Sequence, residues 1–118
     1  MATVKRIPLS GSTNGRGVKV VATATAGTNI HTVASDTTDG NGDEIWLYAY
    51  NSHTANVDLT LEWGGTSAPD DNIKRTIPPG TGVICVSPGL FLRSTLAVKA
   101  FASTANVVVI FGHANHVA

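Results

Sequence analysis

Apolar and polar residues alternate without a break from Val57 to Trp63. Val57, Leu59, Leu61 and Trp63 fall on one side, and Asp58, Thr60 and Glu62 on the other. A period of two is that of a β-strand, so a strand is predicted over Asn56–Trp63, with one face in a core and the carboxylate-bearing face in water. The segment Glu44–Asn51 differs. Ile45 and Leu47 occupy one face while Trp46, Tyr48 and Tyr50 occupy the other, so both faces are apolar or aromatic. Such a strand is either central and covered on both sides, or its aromatic face is reserved for a partner. Val107–Phe111 is apolar throughout, the pattern of a strand covered on both faces.

No window holds apolar residues at i, i+3, i+4 and i+7, and β-branched residues dominate. Further strands are predicted at Gly17–Thr25, Asn29–Ala34, Asn72–Ile77, Gly82–Val86, Thr95–Phe101 and Asn106–His113, with a short extended piece at Leu90–Leu92. Turn-forming residues punctuate them at Gly11–Gly15, Asp39–Asp43, Gly64–Asp71 and Ile77–Gly80. About eight short, evenly spaced strands imply an all-β domain. The expected fold is a single-domain antiparallel β-sandwich or jelly roll over residues 17–118, preceded by an extended basic N-terminal arm and hinge over residues 1–16.

Composition narrows the partners. Charged residues make up 14% of the 118, against roughly 25% in a typical soluble domain. The charges are also segregated: residues 1–35 carry +4 with no acid, residues 36–71 carry −8 with no Lys or Arg, and the remainder carries +4. A neutral, charge-poor surface lacks the basic footprint expected of a nucleic-acid binder. No stretch approaches the length of a membrane span, and the N-terminus lacks the apolar region of a secretory signal, so synthesis in the cytoplasm is expected. Lys5 and Arg6, ahead of the Gly-Ser-Thr-Asn-Gly hinge, are candidates for docking on an acidic surface. Cys85, within Val83–Val86, reads as a small buried hydrophobe.

Little in the chain suggests chemistry. Asp39, Asn41 and Asp43 space oxygen ligands as a calcium loop does, but Glu44 and Tyr50 stand where such a loop needs glycine and a closing bidentate glutamate. The turn is read as a solvated acidic hairpin. His113 and His116 are three apart, an odd spacing that sends them to opposite faces of a strand, so they do not converge on one ion. His31 and His53 have no ligand partner at useful spacing, and no nucleophile elbow or phosphate-cradling loop occurs. The expectation is a protein that is not an enzyme and needs no cofactor. Trp46, Tyr48, Tyr50 and Trp63 could stack on sugars, but core and subunit interface use the same residue types, and Trp46, Tyr48 and Tyr50 are the candidate subunit interface.

Several stretches resemble small virion proteins of tailed bacteriophages: Val4-Lys-Arg-Ile-Pro-Leu-Ser-Gly-Ser, Arg16-Gly-Val-Lys-Val-Val-Ala-Thr-Ala-Thr, Leu61-Glu-Trp-Gly-Gly-Thr-Ser-Ala-Pro-Asp-Asp, Val86-Ser-Pro-Gly-Leu-Phe-Leu-Arg and Val98-Lys-Ala-Phe-Ala-Ser-Thr-Ala-Asn-Val. The resemblance implies a capsid decoration, or cement, protein. It would be a homotrimeric β-sandwich or jelly roll on the virion surface, with the major capsid protein as partner. A carbohydrate- or receptor-binding module of a fibre or spike is the alternative.

Overall fold

The computed structural model describes residues 3–118. In chain order the strands are β1 (Val4–Pro8), β2 (Val18–Lys19), β3 (Thr28–Thr32), β4 (Gly42–Asn51), β5 (Val57–Trp63), β6 (Asn72–Ile77), β7 (Ile84–Leu92), β8 (Ala97–Ala102) and β9 (Val108–Val117). Every pairing is antiparallel. A five-stranded sheet runs β1-β9-β4-β7, with β2 also beside β9, and a four-stranded sheet runs β3-β8-β5-β6. The pairs are nested: β1 and β2 with β9, β3 with β8, β4 with β7, β5 with β6. A long hairpin rolled up on itself produces this order, which is the jelly-roll form of the sandwich.

Alternation explains the core. Ile45, Leu47 and Ala49 of β4 and Ile110 and Ala114 of β9 point inward from one sheet, where they meet Val57, Leu59 and Leu61 of β5 and Val98, Ala100 and Ala102 of β8 from the other. The edges carry features that discourage sheet-to-sheet association: Lys5, Arg6 and Pro8 on β1, and Lys74 and Arg75 on β6.

Four local expectations change. The basic N-terminal segment is extended, but it is not a free arm. Val4–Pro8 pairs with His113–Val117, and Leu9 behind it is 1% exposed in the core. The glycine of the supposed hinge is packed as well, since a β-carbon on Gly11 would lie 2.5 Å from the Asn29 carbonyl oxygen. Second, the strand expected over Gly17–Thr25 is only Val18–Lys19. The chain here changes sheets, with Val20 hydrogen-bonded to Val108 and Asn106 of one and Ala22 accepting from Ala102 of the other. Third, the strand expected at Gly82–Val86 starts only at Ile84 and continues through Leu90–Leu92 as one strand. β7 is an edge strand with register shifts opposite Ile45/Trp46 and Leu47/Tyr48, and an edge strand tolerates Pro88 where a central one could not. Cys85 lies on its exposed side instead of in the core.

The fourth change concerns β5, which is covered on both faces. Thr60 and Glu62 are buried with Val57, Leu59 and Leu61, whereas Trp63 at the strand's end is only half-buried. The covering element is the loop between β2 and β3, which folds over the outside of the four-stranded sheet. Both oxygens of the Glu62 carboxylate hold it, Oε1 accepting the Gly27 N–H at 2.6 Å and Oε2 the Thr25 hydroxyl.

Candidate association face

Directly paired residues on neighbouring strands share a face, so the register of β4 lays out the outer surface of the five-stranded sheet row by row. One row is Tyr50, Val109 and Lys19, and the next is Cys85, Tyr48 and Phe111. A third is Pro88, Trp46, His113 and Pro8, and a fourth is Phe91, Glu44, Asn115 and Arg6. The first three hold one charged side chain, Lys19, at the β2 edge. Of the two readings for Glu44–Asn51, coverage on both sides does not hold within this chain. β4 is central within its sheet, yet its aromatic side faces outward, with Tyr50 37% and Phe111 38% exposed.

The face is rigid. Trp46 stacks on His113 with ring centroids 6.5 Å apart and planes inclined by 14°. On its other side the indole lies over Gly89, the extra residue of the bulge between Pro88 and Leu90; a β-carbon there would be 2.8 Å from Trp46 Cζ2. The indole nitrogen is enclosed and has no hydrogen-bond partner among the described residues. Trp46 therefore supplies a fixed floor, while Tyr50 and Phe111 supply exposed aromatic surface. Tyr48 is half-buried between them.

The two candidate docking cations diverge. Arg6 is in register with Asn115 on the aromatic face, whereas Lys5 is in register with His116 on the opposite side of the strand. Both are exposed. The aromatic set expected from the sequence is also divided: Trp46, Tyr48 and Tyr50 share this face, and Trp63 lies on the other sheet, its indole N–H donating to the Phe91 carbonyl at 3.3 Å.

The acidic turn does not gather ligands. Asp43 points into the sandwich, 1% exposed, with His31 Nε2 2.6 Å from Oδ2 and His116 Nδ1 2.6 Å from Oδ1. His31 Nδ1 accepts the Ser10 N–H at 3.0 Å, so Nε2 carries the ring proton and donates to Asp43. This triad ties β3 of one sheet to β4 and β9 of the other. His113 and His116 do fall on opposite faces. Asn41 turns its amide to Asp36 instead, at 2.8 Å. The Asp36 carboxyl is held below its usual value, chiefly by the Thr38 N–H and then by the Asn41 amide, with a smaller pull from His116. Among the described residues no group of three or more His, Cys, Asp or Glu side chains is placed to hold a metal ion.

Sequence reasoning missed the Asp43 triad and the Glu62 latch because each joins residues far apart in the chain. No family model matches this chain, nor does any curated protein or solved structure.

Proposed function

We propose that this chain is a virion structural protein, a capsid decoration or cement protein that binds and stabilises a bacteriophage shell. In this reading it is made in the host cytoplasm, assembles as a homotrimer and sits on the capsid surface against the major capsid protein. The observation that carries it is the outer face of the five-stranded sheet, on which Trp46, Tyr48, Tyr50 and Phe111 form a continuous, charge-poor aromatic surface. Aromatic side chains held in place bury area at little entropic cost, which suits an interface between copies. A stable interface of this kind buries more than about 1,000 Å² per pair. Lys5, on the opposite side of β1, then remains for the shell, with Arg6 at the border of the face.

The carbohydrate reading draws on the same face, because His113 lies within the aromatic rows and Glu44 and Asn115 border them, all three able to bond sugar hydroxyls. One set of measurements separates the two. Light scattering at micromolar concentration should show an oligomer, and Phe111→Glu should make it a monomer with its fold retained. Undecorated capsids are then mixed with wild-type protein and with Lys5→Glu/Arg6→Glu, pelleted, and bound copies counted. Charge reversal replaces truncation here, since removing residues 1–10 would also remove β1 and Leu9. Saturable wild-type binding, weakened by the reversal and by salt, supports the cement reading. A wild-type monomer that ignores capsids but is retained on immobilised sugars would replace it with the other.

A further inference from the structure

Two of the turns that punctuate the chain contain asparagine followed by glycine, Asn14–Gly15 and Asn41–Gly42. Glycine has no side chain to hinder attack by its own amide nitrogen, and its backbone rotates more freely than any other. An Asn–Gly pair can therefore close to a cyclic imide whenever the glycine nitrogen can reach the asparagine side-chain carbon. The fold treats the two pairs differently.

Asn14 and Gly15 are both exposed, in the loop between β1 and β2. Among the described residues a β-carbon on Gly15 would meet no atom within 4 Å, which leaves open space for a ring. The restraint on the Gly15 N–H is a single 3.2 Å bond to the Ser12 hydroxyl, exposed to competing water. Asn41 is clamped instead. Its side-chain amide donates to Asp36 at 2.8 Å, its N–H donates to the Thr38 carbonyl at 3.0 Å, and its own carbonyl accepts from Arg93 Nε at 3.1 Å. Gly42 is buried as the first residue of β4, in register with Val117, and a β-carbon there would lie 2.5 Å from the Phe91 ring. Its peptide plane cannot turn without breaking the β4–β9 ladder.

We infer that Asn14 is a site of spontaneous deamidation and that the fold protects Asn41 from the same reaction. The Gly15 nitrogen gives up its proton to solvent base and bonds to the Asn14 side-chain carbonyl carbon. The carbon–nitrogen bond of the side-chain amide breaks, and ammonia leaves after taking up a proton. Water then opens the imide at either carbonyl to give aspartate or isoaspartate, with no change of oxidation state. Each event replaces an amide by a carboxylate and places the first acid among the +4 block of residues 1–35, two positions from Arg16.

The test incubates the full chain in mildly alkaline buffer, once native and once in concentrated urea, and follows both sites by peptide mass mapping. In urea the two Asn–Gly pairs should react at similar rates. In the native protein Asn14 should convert while Asn41 lags by about a hundredfold or more, since its reaction waits on opening of a core strand. Native Asn14→Gln should lack the acidic species that wild-type develops on ion exchange. Equal native rates at the two sites, or a native Asn14 as slow as Asn41, would overturn the inference.

Discussion

Glu62→Ala tests how the outer face of the four-stranded sheet is covered. The carboxylate is 1% exposed and accepts from the Gly27 N–H and the Thr25 hydroxyl. Thr25 is exposed, so its hydroxyl can turn to water when the partner is lost. The Gly27 amide cannot follow, because Gly27 packs on the backbone of Ala100, where a β-carbon would lie 2.6 Å away. An N–H left unpaired in this partly buried position costs about 1–3 kcal/mol, and removing the buried Cγ methylene adds about 0.8 kcal/mol. The expected loss is about 2–4 kcal/mol, a fall in Tm on the order of 10 °C for a domain of this size. Glu62→Gln keeps an acceptor for Gly27 and should lose about half as much. Asp58 is the comparison, on the same face of the same strand but partly exposed, 3.6 Å from Lys74. Its replacement by alanine should cost no more than about 1 kcal/mol. Urea melts of the three variants decide the matter. If Glu62→Ala and Asp58→Ala lose the same stability, the loop is not held by Glu62 and the account of this face fails.

Asp43→Ala should be the most damaging polar substitution, at about 3–5 kcal/mol by denaturant midpoint, because it removes two hydrogen bonds to a buried carboxylate and leaves the His31 donor unpaired. His116→Ala, at the half-exposed end of the triad, should cost less. Asp36 gives a pH dependence of defined sign. Its folded carboxyl is held below its usual value, so its contribution is present above the ordinary carboxylate range and is lost as pH falls through the lowered folded value. Wild type should therefore lose stability relative to Asp36→Asn on acidification, as read from thermal melts across the acidic range; parallel curves for the two would contradict it.

Local pattern alone was enough for the all-β class and for most of the strands. Val57–Trp63 was read to within a residue because a two-residue period is written into it, and Asn72–Ile77 with the bounds it has because turn-forming residues flank it on both sides. That Trp46, Tyr48 and Tyr50 share one side of β4 was likewise visible. Everything that depended on what lies against a segment was decided by the fold. Glu62 alternates with Leu61 and Trp63 like any water-facing residue, and nothing near it in the chain announces that residues 25–27 will fold across it. Asp43 resembles a turn ligand until β3 and β9 bring His31 and His116 to its two oxygens. Val4–Pro8 lacks clear alternation, since an edge strand is wet on one side and becomes a strand only because β9, a hundred residues later, offers it a ladder. Periodicity reports the environment a residue needs on average, whereas the partner that supplies it is set by the nested pairing of a chain rolled upon itself.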